Sequence, residues 1–164
     1  MIFLIILGIG TTLAAAVGRR RATWRDHARR GMAVAMVVAG VSHLVRPDPF
    51  VQHLPDWVPG RDPLVLITGI VEVLLGAALV RPRAQRRLAG RALAGYLVAV
   101  LPANVYVAVD GVDVDGPPGG VYHWIRLPLQ GVFIAWALWS TGTRDDERTV
   151  DLSARPQQMA GVTS

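Results

Sequence analysis

The chain has 164 residues, of which 52% are hydrophobic, and its mean hydropathy is +0.37. This composition is too apolar for an average soluble domain, and the length allows only one compact unit. Cysteine is absent, which excludes disulfides, thiol relays and cysteine-ligated metals or clusters. The 17 basic residues are all arginine and lie beside apolar segments, so we expect no nucleic-acid binding despite the net charge of +5.

Five apolar segments follow one another along the chain, each of roughly 15 to 22 residues, which is about the length that crosses a bilayer as a helix. They are residues 2–18, 31–45, 64–80, 88–109 and 125–139. The sequence therefore predicts an all-α fold: a polytopic four-helix membrane bundle at residues 31–141 with one extra N-terminal transmembrane helix at residues 1–18, five spans in all. Residues 143–164 are polar without periodicity and predict a disordered cytoplasmic tail.

Charge alternates between the connections. The first and third are rich in arginine: Arg19, Arg20, Arg21, Arg25, Arg29 and Arg30, then Arg81, Arg83, Arg86, Arg87 and Arg91. Acidic residues dominate the second and fourth: Asp48, Asp56 and Asp62, then Asp110, Asp113 and Asp115. Since positive loops stay in the cytoplasm, we expect the N-terminus outside and the C-terminus inside. The use of arginine without lysine, with much Ala, Val and Gly, favours a GC-rich bacterium and hence a bacterial cell membrane.

The first segment also resembles a secretory signal, because Ala14 and Ala16 form a small-residue cleavage pattern. No basic residue precedes its apolar core, and cleavage would leave the first arginine cluster on the outer face. An uncleaved span is therefore favoured.

The second connection has a helical pattern of its own. Asp48 is placed to cap a short helix with Pro49 at its first position, and Phe50, Leu54 and Trp57 recur on one face. This pattern predicts a turn or two of helix lying in the membrane interface. A plain connector with an interfacial tryptophan is the alternative.

Glu72 lies near the middle of the third apolar segment, where no water would hold its charge. Counted at about 1.5 Å per residue from the helix ends, five polar residues fall in the outer half of the bundle. Gly69 and Gly76 share the face of Glu72, so another helix can approach there. We expect the five side chains to converge inside the bundle: His43, Glu72, Asn104, Arg126 and Gln130. Pro102 should free a backbone carbonyl beside them.

Two interpretations of this cluster remain open. In one, Glu72 and Arg126 form a buried ion pair that only fixes helix register. In the other, the cluster lines a cavity open to the outer leaflet, where a quinone or lipid binds and Glu72 or His43 exchanges a proton. We expect no metal site, because His43, His53 and Glu72 share no short ligand spacing. His53, together with His27 and His123, is expected to be exposed.

Several stretches resemble the DoxX-like family of small bacterial membrane proteins. They are AGVSHLVRPDPF at residues 39–50, LPDWVP at 54–59, TGIVEVLLGAALVRPRAQR at 68–86, LPANVYVA at 101–108 and WIRLPLQGVFIAWALW at 124–139. The resemblance implies a four-helix membrane bundle with a link to quinone and thiosulfate redox metabolism. The extra N-terminal helix and the lack of cysteine depart from that pattern.

Three functions are therefore considered. The first is an accessory membrane subunit, without a catalytic motif of its own, linked to quinone redox or oxidative-stress metabolism and partnered by a membrane or cytoplasmic redox enzyme. The second is a proton-coupled carrier of a small solute that uses Glu72. The third is a structural interaction protein whose arginine loops bind anionic headgroups. Monomer and homo-oligomer both remain open.

Overall fold

The computed structural model describes residues 2–17, 23–110 and 121–142, and every regular element within these ranges is a helix. The helices are α1 (Ile2–Val17), α2 (Trp24–Val45), α3 (Asp48–Val51), α4 (Arg61–Leu79), α5 (Arg83–Ala99), α6 (Leu101–Asp110) and α7 (Val121–Thr141). The tail expected to be disordered, residues 143–164, lies outside the described residues, as does most of the fourth connection.

α2 begins at Trp24, seven residues before the predicted start, because Thr23 and Asp26 form a capping box. The Thr23 hydroxyl oxygen accepts from the Asp26 N–H, and the Asp26 carboxylate accepts from the Thr23 N–H at 3.0 Å. Reciprocal capping of this kind satisfies two amide groups that a helix start leaves unpaired. The second half of the predicted first connection is therefore helical, and Arg25 and Arg29 belong to α2.

The predicted apolar segment at residues 88–109 is helical, but Val100 interrupts it and separates α5 from α6. Pro102 has no N–H to donate to the carbonyl of Val98, so the regular pattern ends just before it. The Val100 N–H donates to the Tyr96 carbonyl at 3.0 Å, and the Asn104 N–H donates to the Val100 carbonyl at 3.4 Å. The two helices nonetheless follow one another as a single apolar stretch, Gln85–Asp110.

Three stretches of the described chain are long and apolar enough to cross a membrane: Trp24–Val45, Arg61–Leu79 and Gln85–Asp110. A shorter apolar helix covers Ile5–Ala14. Large apolar side chains such as Ile67 and Leu74 point outward, being 57% and 63% exposed, whereas Glu72 on the same helix is only 8% exposed. Apolar side chains outside and a carboxylate inside suit a helix surrounded by lipid, so the fold indicates membrane association.

α2 and α4 approach closely through glycine. A Cβ added to Gly69 would lie 2.7 Å from the Cβ of His43 and 2.9 Å from the carbonyl oxygen of Gly40. A Cβ added to Gly76 would lie 2.9 Å from the carbonyl oxygen of Ala33. The prediction that another helix approaches the face of α4 that carries Glu72 is confirmed, and that helix is α2.

The bundle has two chemically different ends. At one end α2 and α6 finish, α4 and α7 begin, and the short helix α3 lies between α2 and α4. We call this the α3 end. At the opposite end, which we call the arginine end, lie Arg25 in the first turn of α2 and Arg87 and Arg91 in α5. Arg25 lies over the ring of Trp139 in α7, 5.4 Å from its centroid.

Candidate functional site

Glu72 is buried between α2, α4 and α5 and meets a different group on each carboxylate oxygen. The Tyr96 hydroxyl donates to Oε1 at 2.7 Å. The Nδ1 atom of His43 lies 3.1 Å from Oε2, yet their orientation does not form a hydrogen bond, and neither atom has another hydrogen-bond partner among the described residues. One side of the carboxylate is thus held by Tyr96, while the other faces an imidazole nitrogen that can give or take a proton. We call these three residues the Glu72 limb.

Arg126 is the centre of a second group of hydrogen bonds, about six residues inside the start of α7. Its guanidinium contacts Nε2 of His53 at 2.9 Å and donates to Oδ1 of Asn104 at 3.0 Å. Asn104 in turn donates through Nδ2 to Oε1 of Gln130 at 2.6 Å. A continuous row of hydrogen bonds therefore runs from the loop after α3 into the bundle, and we call it the Arg126 limb.

The Arg126 limb ends on backbone. Nε2 of Gln130 donates to the carbonyl oxygen of Leu97, close to the break at Val100. Pro102 was expected to free a backbone carbonyl near Asn104 that would accept a hydrogen bond. The carbonyl that accepts from Gln130 is that of Leu97, five residues before the proline. Polar backbone at such a break must find a partner when it lies away from water, and Gln130 provides one.

His53 is half-buried and neutral in this arrangement, contrary to the expectation that it is exposed. Its Nδ1 lies 2.7 Å from the Pro49 carbonyl, which only accepts, so Nδ1 carries the proton and Nε2 accepts from Arg126. Burial, followed by the positive charge of Arg126, lowers the pKa of His53 from 6.5 to about 4. The two other histidines expected at the surface, His27 and His123, are buried as well.

α3 packs a phenyl ring between the two limbs. The Phe50 ring contacts the His43 ring edge to face, with centroids 3.8 Å apart, and stacks near the His53 ring at 6.3 Å. The predicted short helix is present, but its cap is Pro47 rather than Asp48. The predicted common face is incomplete, because α3 ends at Val51, before Leu54 and Trp57. α3 thus covers the α3 end and touches one histidine of each limb.

The structure divides the five predicted site residues between two limbs at the α3 end. His43 and Glu72 belong to one, and the other three, Asn104, Arg126 and Gln130, belong to the other. No ion pair joins Glu72 to Arg126 within the described part of the chain, because each has separate partners.

Two partners escaped the sequence reasoning. Tyr96 was not predicted, because its aromatic ring is compatible with an apolar segment. Its hydroxyl is nevertheless the only side-chain hydrogen-bond donor in residues 93–101, and that could have identified it. His53 was set aside because it lies in a connection.

The described residues contain no group of three or more His, Cys, Asp or Glu side chains arranged to hold a metal ion. What the Glu72 limb can do chemically is hold or transfer a proton. The Arg126 limb can fix helix positions and present a positive charge near the α3 end.

A family model described as Domain of unknown function (DUF8561) matches residues 32–141, which run from within α2 to the end of α7 and include both limbs. No curated protein and no solved structure matches the chain.

Proposed function

We propose that this chain, which belongs to the family described as Domain of unknown function (DUF8561), is a DoxX-like accessory subunit of membrane redox or oxidative-stress metabolism that binds a quinone at the Glu72 limb. The observation that carries this proposal is the pair of buried atoms facing each other at 3.1 Å, Nδ1 of His43 and Oε2 of Glu72, without a hydrogen-bond partner. A buried polar atom without a hydrogen-bond partner costs free energy in an apolar environment. A ligand or a proton that forms a hydrogen bond with these two atoms removes that cost, which favours its binding.

The proposed setting is a bacterial cell membrane crossed five times, by α1, α2, α4, the α5–α6 stretch and α7. The N-terminus lies outside and the C-terminus in the cytoplasm. This placement is supported by the arginines at one end of the bundle and by Asp48, Asp56 and Asp62 at the other. It puts the α3 end, with both limbs, in the outer half of the bilayer.

The Glu72 limb suits a quinone head by its donor and acceptor groups. A quinone carbonyl needs a hydrogen-bond donor, which a protonated His43 Nδ1 supplies, and a quinol hydroxyl needs an acceptor, which Oε2 of Glu72 supplies. Phe50, which touches the His43 ring, adds an apolar face for a flat ring. The five stretches that resemble the DoxX-like family include His43 and Glu72, which adds support to the redox setting.

This chain would handle protons rather than electrons. When bound, a quinol supplies two electrons and two protons. Glu72 and His43 would accept the protons, while Tyr96 keeps the carboxylate in place through its 2.7 Å hydrogen bond. The electrons would pass to a partner redox enzyme, because the chain has no cysteine to receive them. An accessory role therefore agrees with the chemistry of these residues better than an independent oxidoreductase.

Quinone binding can be tested with the full chain in lipid nanodiscs. Decylubiquinone and a short-chain menaquinone are titrated separately while tryptophan fluorescence is followed. We expect saturable binding by the wild type and a loss of about tenfold or more in affinity for Glu72→Gln, since a hydrogen bond to a charged group is removed. Asp62→Asn is the matched control, because it neutralises an exposed carboxylate on the same helix and should leave binding unchanged.

Lack of saturable binding by the wild type would refute the proposal, as would equal binding by the wild type and the Glu72→Gln variant. Melting temperatures of all three proteins in the same nanodiscs show whether a lost signal reflects unfolding.

The break at Val100 favours a second candidate, a proton-coupled carrier. Transporters place broken helices at their substrate sites, where freed backbone groups line a cavity. Here the break lies beside the Leu97 carbonyl and the side chain of Gln130. A panel of small solutes added to proteoliposomes that contain a pH-sensitive dye would test this function. Internal acidification that follows one solute and disappears in Glu72→Gln would favour the carrier over the redox subunit.

A further inference from the structure

The short helix α3 covers the acid and base of the Glu72 limb. The Phe50 ring on α3 contacts the His43 ring edge to face, with centroids 3.8 Å apart. The side chains of His43 and Glu72 are only 12% and 11% exposed. Their facing atoms, Nδ1 and Oε2, are buried without a hydrogen-bond partner among the described residues. A molecule that binds this pair must therefore displace a neighbouring group first.

The long helices around the pair are firmly held. A Cβ added to Gly40 would collide with the carbonyl oxygen of Gly69, so α2 and α4 meet backbone to backbone. On α5, the Tyr96 hydroxyl donates to Oε1 of Glu72 at 2.7 Å. Separation of these helices would break close main-chain packing or a hydrogen bond to a buried carboxylate. Movement of α3 breaks neither contact.

The part of the chain that carries Phe50 is attached more weakly than these helices. We call residues 47–58 the α3 segment, and none of them is buried. The N–H groups of Phe50 and Val51 both donate to the Pro47 carbonyl, at 2.9 and 3.0 Å, and the His53 N–H donates to the Phe50 carbonyl at 3.1 Å. A segment with local backbone bonds and little buried surface opens at a low free-energy cost.

Residues at both ends of the α3 segment are suited to act as hinges. Gly60, two residues after the segment, has φ +67°, a left-handed conformation that glycine adopts without strain. Arg46, just before the segment, ends α2 with φ −138° and ψ 76°, outside the helical region. Hinges consist of a few residues of this kind at the ends of regular elements. Rotation at these two positions moves the α3 segment relative to α2 and α4.

A hydrogen bond to α7 holds the α3 segment against the bundle. Nε2 of His53 accepts from Arg126 at 2.9 Å, while Nδ1 donates to the Pro49 carbonyl inside the segment at 2.7 Å. The His53 ring also stacks near the Phe50 ring, with centroids 6.3 Å apart. One ring thus bonds to α7 and packs against the residue that covers His43. Loss of the bond between His53 and Arg126 should therefore loosen the cover over His43.

We propose that the α3 segment is a lid whose opening controls access to the His43–Glu72 pair. When the lid is closed, Phe50 covers His43. When it is open, Nδ1 and Oε2 can be reached from the α3 end. The inference rests on the proposed function only for the identity of the molecule that enters, a quinone. Opening is a property of the free protein, so it can be measured without a ligand.

The first test measures hydrogen–deuterium exchange at the imidazole carbon of His43, by mass spectrometry of the full chain in nanodiscs. His53→Phe removes the acceptor for Arg126 but keeps an aromatic ring beside Phe50. We expect this variant to speed exchange at His43 by about threefold or more, since loss of one hydrogen bond shifts the opening equilibrium by about that factor. Phe50→Ala should also speed the exchange, because it removes the ring over His43.

Trp57→Ala is the matched control for these variants. It removes a larger aromatic ring from the same segment, but Trp57 is 82% exposed and should not affect exchange at His43. His27, which is buried near the start of α2 at the opposite end of the bundle, is an internal reference whose exchange should be the same in every variant.

The second test follows decylubiquinone binding by stopped-flow tryptophan fluorescence. In His53→Phe the association and dissociation rate constants should both rise by about threefold or more, because the lid closes over the empty and the occupied site alike. The Kd should change little. Wild type and variant are compared in the same nanodiscs.

Unchanged exchange at His43 in His53→Phe would overturn the lid, whether or not a quinone binds. An equal rise in Trp57→Ala would also overturn it, because the segment would then be loosened by any change. Saturable quinone binding with unchanged rate constants in His53→Phe would overturn the lid and leave the proposed function intact. Faster exchange at His43 without quinone binding by the wild type would refute the proposed function alone. If His53→Phe does not fold, His53→Ala gives the same comparison.

Discussion

Double-mutant cycles around Glu72 test the division into two limbs most directly. The single changes are Glu72→Leu and Tyr96→Phe, which remove the two ends of a 2.7 Å hydrogen bond. Glu72 is 8% exposed, so Tyr96→Phe leaves a buried carboxylate with one donor fewer. A hydrogen bond to a charged group is worth about 1.5–3 kcal/mol, and loss of one partner leaves the other with its desolvation penalty.

We therefore expect each single variant to lose stability and the double variant to lose less than the sum of the two. The coupling energy should be about 1.5–3 kcal/mol. Glu72→Leu combined with Tyr106→Phe is the matched control, because Tyr106 lies on α6 and is not bonded to Glu72. For that pair the two losses should add to within about 0.5 kcal/mol.

The measurement is reversible unfolding in mixed detergent micelles, followed by the fluorescence of the five tryptophans. A third pair, Glu72→Leu with Arg126→Met, distinguishes the observed partners from an ion pair. If this pair restores the stability that its single variants lose, while Glu72 and Tyr96 behave additively, then Glu72 is bound to Arg126 and the two-limb description is refuted.

Three further predictions follow from single contacts. The pKa of His53 is about 4 in the folded protein and 6.5 in the unfolded chain, so the unfolded chain binds a proton at His53 at a higher pH than the folded protein does. As the pH falls from 6.5 to 4, the free energy of unfolding of the wild type should therefore decrease by at most about 3 kcal/mol more than that of the His53→Gln variant. The same pH dependence of the free energy of unfolding in both proteins would contradict this prediction. Gly69→Ala should cost about 1–3 kcal/mol in denaturant unfolding, because its Cβ would lie 2.7 Å from that of His43, whereas Gly95→Ala, with nothing within 4 Å, should be neutral or stabilising. Trp136→Phe should lower stability by about 1 kcal/mol through the loss of its 3.1 Å hydrogen bond to a carbonyl of α2, and an unchanged melting temperature would show that this bond contributes nothing.

The sequence was sufficient for features that depend on local pattern. An all-helical chain with long apolar helices follows from segment length, and the approach of α2 to the Gly69 face of α4 follows from residue spacing. The early start of α2 was missed because apolar periodicity was followed rather than the Thr23 and Asp26 capping pair. The break at Val100 was not predicted, because Pro102 was expected to free a backbone carbonyl inside a continuous helix and not to interrupt that helix.

Partners within the site depend on packing that local pattern does not contain. Tyr96 and Glu72 are 24 positions apart, and Arg126 and His53 are 73 apart. Opposite charge made Arg126 the obvious partner for Glu72, but α5 places a phenol beside the carboxylate instead. Such pairings depend on which helix faces pack against each other, and the periodicity of a single sequence does not contain that information.

The glycine contact between α2 and α4 has a consequence for how the distance between acid and base is maintained. The backbone of α2 rests directly on the backbone of α4 at Gly40 and Gly69, one turn away from His43 and Glu72 on the respective helices. The spacing of the imidazole and the carboxylate is then set by main-chain contact, which cannot be compressed further and does not depend on which side chains fill the remaining interior. Substitutions in the apolar interior can therefore leave the spacing of His43 and Glu72 unchanged, provided that both glycines are present.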